Sequence, residues 1–433
     1  MLDIKYIREN ADAVQTNAKN KGYNVSISSL LQIDSQRRDL QTQADELRAK
    51  RNDNVSKIKG GKPSDELVAE GKAIKTQLGE LETRLKAVDE SYMALLKQVP
   101  NMAASDVPVG LTEDENIVSK TVGDPTKFDF KPLNHAEVAA KHGWIDKERA
   151  AKVTGSRFAY VEGDLVKLQM AIVMFVMNTL SDETKIAEIA KGAGLKVSTK
   201  PLTPILPPLM IRTGAYDAMD RLEPRDERYK IEGDDLWLQG SAEHVLGSMH
   251  ADEIFEESQL PIRYLGYATS FRREAGTYGK DMEGIFRMHQ FDKLEMESFT
   301  TADDGPNEHL LFVAIQEYLL TQLGLPYRVL TKCTFDIGKP NARGVDMEVW
   351  LPGQDKYRET HTADYMTDYQ ARRLNTRVRR SKSGNLELIH TNDATAFAVG
   401  RIMIAIIENN QTAEGNVQVP AVLQPYIGGR KLL

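Results

Sequence analysis

The chain has 433 residues, enough for two to four domains and a sizeable core, and its 41 % hydrophobic and 27 % charged residues are those of a folded, water-soluble protein. With 56 Lys and Arg against 63 Asp and Glu, the net charge of −7 excludes a generally basic nucleic-acid coat and leaves only local basic contacts. One cysteine, Cys333, excludes a disulfide framework and any multi-cysteine metal centre. The N-terminal Met1-Leu2-Asp3-Ile4-Lys5 has no apolar leader, and Met170 to Met177 is too short to span a bilayer, so a cytoplasmic protein without a membrane partner is expected.

Residues 29–99 are rich in Lys, Glu, Gln, Leu and Ala, with apolar residues spaced by fours and threes. One seam runs through Ile33, Leu40, Ala44, Leu47, Val55 and Ile58, a second through Leu67, Ile74, Leu78, Leu81, Leu85, Val88, Tyr92 and Leu95. Between them Gly60-Gly61 permits a turn, Pro63 forbids helix continuation and Ser64 caps the second helix. The spacing predicts an antiparallel helical hairpin, an arm of about 45 Å at 1.5 Å per residue. Heptads alone serve a dimerising coiled coil equally well; the tight turn favours an intrachain pair. Near the tip, Arg48, Lys50, Arg51, Lys57, Lys59 and Lys62 form a basic zone suited to phosphates or simply to solvent.

Residues 101–135 read as a linker, broken by Pro108, Pro125 and Pro132, so that the domains expected are 1–100, a linker 101–135, and a body 136–433. In the body, helical stretches at 135–150, 164–192, 240–257, 303–323, 366–375 and 393–410 alternate with strand-like ones at 263–272, 284–300, 327–335, 344–351, 356–362 and 385–391. Successive strands without an intervening helix favour an antiparallel sheet flanked by helices, an α+β body.

Three segments carry chemistry. Alternation through the strand-like 284–300 puts Arg287, His289, Phe291, Lys293 and Glu295 on one face. Arginine forks match phosphate oxygens, Phe291 offers a ring to a base, and Glu295 accepts from an ammonium group; a solvated face with cross-strand ion pairs is the plainer alternative. Thr391 to Arg401 joins a strand to an apolar helix, with Arg401 expected in its second or third turn, where a phosphate justifies the charge. Arg358-Glu359-Thr360-His361-Thr362 ends another strand with oxygen ligands suited to Mg²⁺. No P-loop, dinucleotide-binding glycine fingerprint or nucleophile elbow is written in the chain.

These residues resemble the bacterial-type seryl-tRNA synthetases, members of the class II aminoacyl-tRNA synthetases. The resemblance starts at Met1-Leu2-Asp3-Ile4 and Arg8-Glu9-Asn10, continues through Gly155-Ser156-Arg157-Phe158 and Gln370-Ala371-Arg372-Arg373, and ends at Val419 to Tyr426. Phe271 to Glu295 looks like class II motif 2, Ala398 to Asn409 like motif 3, and Pro207 like the motif 1 proline at a homodimer interface. The resemblance implies serine activation by ATP and Mg²⁺, then transfer to tRNA(Ser); it leaves tRNA(Sec) open as a second acceptor and implies no DNA partner. It implies that Arg272 holds the α-phosphate and the serine carboxylate, that Glu274 and Phe291 hold adenine, that Arg401 holds the γ-phosphate, and that Arg287 also lines the ATP site. Arg272, Arg401 and Glu359 are the catalytic candidates, Glu359 and Thr362 the metal candidates, and Ser241, Glu243, Glu295, Asp393 and Thr395 the serine candidates. The six basic residues of the arm then meet tRNA.

The pattern is not kept everywhere. Met219-Asp220-Arg221 stands for Gly-Thr-Gly, Ser241 for Thr, Asp364-Tyr365 for Ser-Asn, and Asp393 for Asn. A related ligase for another small amino acid, or a noncatalytic tRNA-binding paralogue, is the alternative these changes raise.

Overall fold

The computed structural model describes residues 1–58, 64–275 and 284–433, and the chain divides into two compact units, Met1–Met102 and Ala103–Leu433. In the first, two short helices, Ile4–Glu9 and Ala11–Asn20, precede a hairpin of two long ones, α1 (Ile27–Ile58) and α2 (Asp65–Leu96). At 32 residues each, both helices are about 48 Å long. The Ser64 hydroxyl accepts from the Leu67 amide at 3.3 Å, and Asp65 and Glu66 stand at the positive end of α2.

The hairpin seam is Leu40, Ala44 and Leu47 against Leu78, Leu81, Leu85 and Val88, as the spacing predicts. Val55 is a correction: it is exposed, and Asn54 turns inward instead, its amide donating to the Leu67 carbonyl at 3.2 Å and Glu70 at 2.9 Å. A buried amide with both bonds made fits the narrow spacing opposite Gly71, where an added Cβ would meet the Asn54 oxygen at 3.1 Å. Leu96 rather than Leu95 closes the seam's other end. There Asp34, fully buried, accepts two bonds from Arg8 at 2.7 and 3.0 Å, with Arg37 and Arg38 beside it.

The second unit is built on β1 (Ile117–Val122), helix α3 (Asp164–Leu180), β2 (Thr203–Ile205), β3 (Ile262–Phe271), β4 (Gln290–Thr300), helix α4 (Gly305–Gln322), β5 (Tyr327–Thr331), β6 (Arg343–Leu351), β7 (Lys356–Thr367), β8 (His390–Ala398) and helix α5 (Val399–Asn409). The strands form one sheet in the order β1-β5-β6-β7-β8-β4-β3-β2, antiparallel except for the short β2–β3 pair. On one face Leu294, Met296, Met347, Ala363 and Ala394 pack with Leu311, Ile315 and Leu319 of α4 and Ile402 to Ile407 of α5. The other face of the same strands carries Lys293, Glu295, Glu297, Asp393 and Thr395, all buried, and is the face on which a site is built. A buried bidentate pair, Arg263 to Glu308 at 2.6 and 2.7 Å, ties β3 to α4.

Several sequence expectations are corrected. The helices expected at 240–257 and 366–375 are helical only over Glu243–Leu246 and Ala371–Leu374. The linker 101–135 contains the edge strand β1, paired with β5, so Ile117–Val122 belongs to the sheet. The expected strand 284–300 starts only at Gln290, and Arg287 and His289 belong to the turn before it. The expected helix 393–410 is a strand as far as Ala398, which puts Arg401 in the first turn of α5 rather than its second or third. Residues from Thr391 to Phe397 are buried on both faces, and the alternation of Asp393, Ala394, Thr395 and Ala396 is short and runs straight into the apolar helix that follows, so it does not separate strand from helix.

Candidate functional site

Two strand irregularities shape the site. On β7 the pairing to β6 slips between His361 and Glu359, so Thr360 is an extra residue and Glu359 and Thr362 both reach the same cleft. On β8 the pairing to β4 slips between Thr395 and Phe397; Thr395 stays opposite Glu295 on the site face while Phe397 drops into the core beside Leu294. Gln316 of α4 donates to the carbonyls of both Thr362 and Thr395 at 2.8 Å, pinning these two strands at the site.

The cleft, about 120 Å³, is lined by Arg272, Glu274, Phe286, Arg287, Phe291, Lys293, Glu359, Thr362, Thr395 and Arg401. All of these except Phe286 and Lys293 are site residues expected from the sequence. Arg272 leaves the end of β3, its Nε donating to the Gly240 carbonyl at 3.0 Å and its guanidinium lying 5.3 Å from the centre of Phe291. Arg287, though not in the strand, enters the cleft by pairing with Glu274 at 2.7 Å, and Glu274 holds a left-handed φ of +52°. Such a backbone angle is uncommon for a side chain of this size, and the Arg157 bond to the Glu274 carbonyl at 3.1 Å helps hold it.

Arg401 donates to the Glu359 carbonyl at 2.9 Å and its carboxylate at 3.1 Å. Phe286 lies between two guanidiniums, with Arg358 3.8 Å and Arg401 4.7 Å from its ring centre. This stack fixes the plane of Arg401 without using its outer N–H groups. Phe286 stands outside any periodic element, so only its meeting in space with two arginines distant in the chain reveals the role.

Lys293 connects the cleft to a buried polar group. Its ammonium lies 2.6 Å from Glu295 and 3.0 Å from the Ser241 hydroxyl, which is 3.4 Å from the same carboxylate. Burial pushes Glu295 up to about 7, against the pull of Lys293. Glu243, in the short helix Glu243–Leu246, lies 3.3 Å from His244; burial raises its carboxyl, but His244, Lys293 and Arg221 together bring it well below the ordinary value. Asp393 pairs with Arg221 at 3.2 Å. Arg221, Lys293 and Glu297 are not among the site residues expected from sequence: the first lies in a segment with no periodic signal, and the others read only as members of a strand.

Glu359 and Thr362 offer a carboxylate and a hydroxyl, hard oxygen donors of the kind Mg²⁺ takes. Among the described residues no group of three His, Cys, Asp or Glu could hold a metal ion by itself. Two protein donors beside four cationic side chains fit an ion whose remaining ligands are phosphate oxygens and water.

On the hairpin, Arg48 is held by Asp45 and Glu82, both at 2.9 Å, and Lys57 by Asp53 at 2.7 Å. Lys50 and Arg51 are exposed, with no ion pair among the described residues, while Lys59 and Lys62 lie outside them.

Comparison with known proteins supplies the remaining observation. Residues 1–103 match the family model of the seryl-tRNA synthetase N-terminal domain, and residues 228–410 that of the class II tRNA synthetase core domain (G, H, P, S and T). The serine–tRNA ligase of Methanocella arvoryzae is 39 % identical over 442 residues, covering all of both chains. That of Thermotoga neapolitana is 40 % identical over 435 residues, covering 99 % of each. The crystal structure of seryl-tRNA synthetase from Pyrococcus horikoshii complexed with ATP superposes with a TM-score of 0.88 at 34 % identity, covering 100 % of this chain and 99 % of that one.

Proposed function

Since this chain belongs to the seryl-tRNA synthetases, we propose how its own residues carry out serine–tRNA ligation. The enzyme is an ATP-dependent aminoacyl-tRNA synthetase, and the family places serine, ATP and tRNA as its substrates. The observation that carries the assignment of residues is the single cleft in which Arg272, Glu274, Arg287, Phe291, Glu359 and Arg401 meet.

Adenine stacks on Phe291, whose opposite approach is fixed by the Arg272 guanidinium, with the Glu274 carboxylate placed by Arg287 to accept from the exocyclic amine. Arg272 and Arg287 take oxygens of the inner phosphates and Arg401 those of the outermost. The serine ammonium docks on Glu295, displacing Lys293 from part of its contact, and the hydroxyl lies among Ser241, Thr395 and Asp393, with Glu243 behind. The serine carboxylate then attacks the α-phosphorus in line, and pyrophosphate leaves with the electron pair of the broken bond. No side chain moves a proton in this step; Arg272 and Arg401 stabilise charge that spreads over the phosphate oxygens. Glu359 and Thr362 would hold Mg²⁺, which would supply further neutralisation of the phosphates.

A hydroxyl of the 3′-terminal adenosine of tRNA(Ser) then attacks the carbonyl carbon of seryl adenylate, and AMP leaves with the electron pair of the broken anhydride bond; a tRNA(Sec) suits the same arm. Lys50 and Arg51 meet the RNA backbone through charge and shape rather than base edges. The working form is a homodimer: Leu206, Leu209 and Met210 are exposed beside buried Pro207, and Val166, Met170 and Met174 make an exposed apolar stripe on α3. No single helix among the described residues is long and apolar enough to cross a membrane, and we place the enzyme in the cytoplasm.

The test is exchange of labelled pyrophosphate into ATP with serine, threonine, glycine, alanine and cysteine. Serine supports the fastest exchange. Exchange with none of them, or preference for glycine or alanine, refutes the assignment.

A further inference from the structure

Beneath the serine subsite the sheet carries more carboxyl groups than its substrate needs. In pairing register, Asp364 on β7 stands opposite Asp393 on β8, and Asp393 opposite Glu297 on β4, so three acidic side chains occupy one row of three adjacent strands. Like charges directly opposite one another destabilise a sheet, and all three are buried. Glu243 and Glu295 stand beside the row, which makes five. Among the described residues the cations in contact with these five are Arg221, on Asp393 at 3.2 Å, and Lys293, on Glu295 at 2.6 Å. Arg272 also acts on Glu295 but is placed to take the substrate carboxylate, and Lys332 is committed to Asp346 at 3.3 Å and Asp336 at 3.6 Å. His244, pushed down to about 4 by burial, adds no charge at neutral pH.

Glu297 is the independent signal. It is 0 % exposed, and neither carboxyl oxygen has a hydrogen-bond partner among the described residues. One oxygen each of Glu243 and Asp364 is likewise buried without a partner among them. A buried carboxyl with no bond is destabilising, and a structural sheet face gains nothing by keeping one. Burial, with Asp393, Glu243 and Glu295 close by, raises Glu297 well above its ordinary value. Arg221 and Asp393 also arrive together from segments 172 residues apart.

We propose that this floor admits, besides serine, a small amino acid carrying an ammonium group where serine carries its hydroxyl, 2,3-diaminopropionate being the isostere. The proposal rests on the serine subsite described above. With serine bound, one ammonium joins Lys293 and Arg221 against five carboxyls. With the diamino acid a second ammonium, three bonds from the first, meets Asp393 and Glu297 and supplies the missing donor. Two neighbouring ammonium groups repel in water, so a site that holds both must be acidic in excess, as this one is. The step is unchanged: the substrate carboxylate forms the bond to the α-phosphorus, the bridging bond to the β-phosphate breaks, and pyrophosphate departs with its electrons.

The experiment is pyrophosphate exchange by the full chain with L-serine, L-2,3-diaminopropionate and L-alanine, each measured for the native protein, Glu297→Gln and Asp393→Asn. Glu297→Gln keeps the shape of a neutral carboxyl and is not expected to impair folding. Exchange with diaminopropionate well above alanine, and a diaminopropionate-to-serine ratio of kcat/KM that falls about tenfold in both variants, supports the proposal. Exchange with serine but not above the alanine level with diaminopropionate overturns it and leaves the serine reading standing. Exchange with both at a ratio that neither variant changes overturns the role of the floor. Exchange with neither substrate overturns the serine subsite itself.

Discussion

Arg401 offers a perturbation in which folding and chemistry separate cleanly. Its bond to Glu359 lies at a partly open rim, where the Glu359 side chain is 54 % exposed, so the pair contributes about 0–1 kcal/mol to stability. The stack on Phe286 adds about 0.5–1 kcal/mol. Arg401→Ala therefore costs about 0.5–2 kcal/mol of folding free energy, a loss of a few degrees in Tm. In the reaction the same side chain faces phosphate charge, and removing one fixed donor from such a site costs about 10²–10³ in rate, or roughly 3–4 kcal/mol. Arg401→Lys keeps the charge but not the planar stack, so it falls between the two. Serine-dependent pyrophosphate exchange, with thermal melts of the same preparations, is the assay. Exchange by Arg401→Ala within about threefold of native, with a normal melt, refutes the phosphate role; the ~10² expectation leaves no room for so small an effect.

Other parts of the molecule make three further outcomes testable. Because Glu295 is raised to about 7, kcat/KM for serine increases as pH rises through about 7, where the carboxylate able to take the ammonium forms, and Glu295→Gln abolishes that limb while lowering the plateau. Replacing Lys50 and Arg51 together by Glu weakens tRNA charging and flattens its salt dependence while leaving pyrophosphate exchange intact; deletion of residues 30–97 does the same more severely. Glu308→Ala strands the buried Arg263 guanidinium and destabilises the catalytic unit by about 3–5 kcal/mol, read by denaturant unfolding, with Arg263→Met/Glu308→Leu recovering much of the loss.

The parts of this fold that sequence makes legible are those with a period. The hairpin shows because its spacing of fours and threes runs through two 32-residue helices, and its slip at Val55 marks the place where Asn54, a polar residue, takes the seam. β3 and α4 are legible to within two residues because one alternates and the other is a long apolar helix. β8 reads as helix because its alternation, Asp393 to Ala396, is short and continues without a break into the apolar helix α5. Within the site, motif-bearing residues such as Arg272 and Phe291 are found by their resemblance to a family, whereas Lys293, Arg221 and Phe286 take their meaning from partners distant in the chain: Ser241, Asp393, and Arg358 with Arg401. Such pairings depend on strand register and bulges, which local sequence does not encode strongly.

The net charge, acidic over the whole chain, leaves room only for local nucleic-acid contacts, and Lys50 and Arg51 on the hairpin, exposed and without an ion pair among the described residues, suit such contacts. The most direct test of the whole account is therefore transfer of labelled serine to tRNA by the intact chain with ATP and Mg²⁺. The account predicts ATP-dependent, acid-precipitable serine on tRNA(Ser), lost in Arg272→Ala. Serine-dependent pyrophosphate exchange with no serine appearing on tRNA would contradict it.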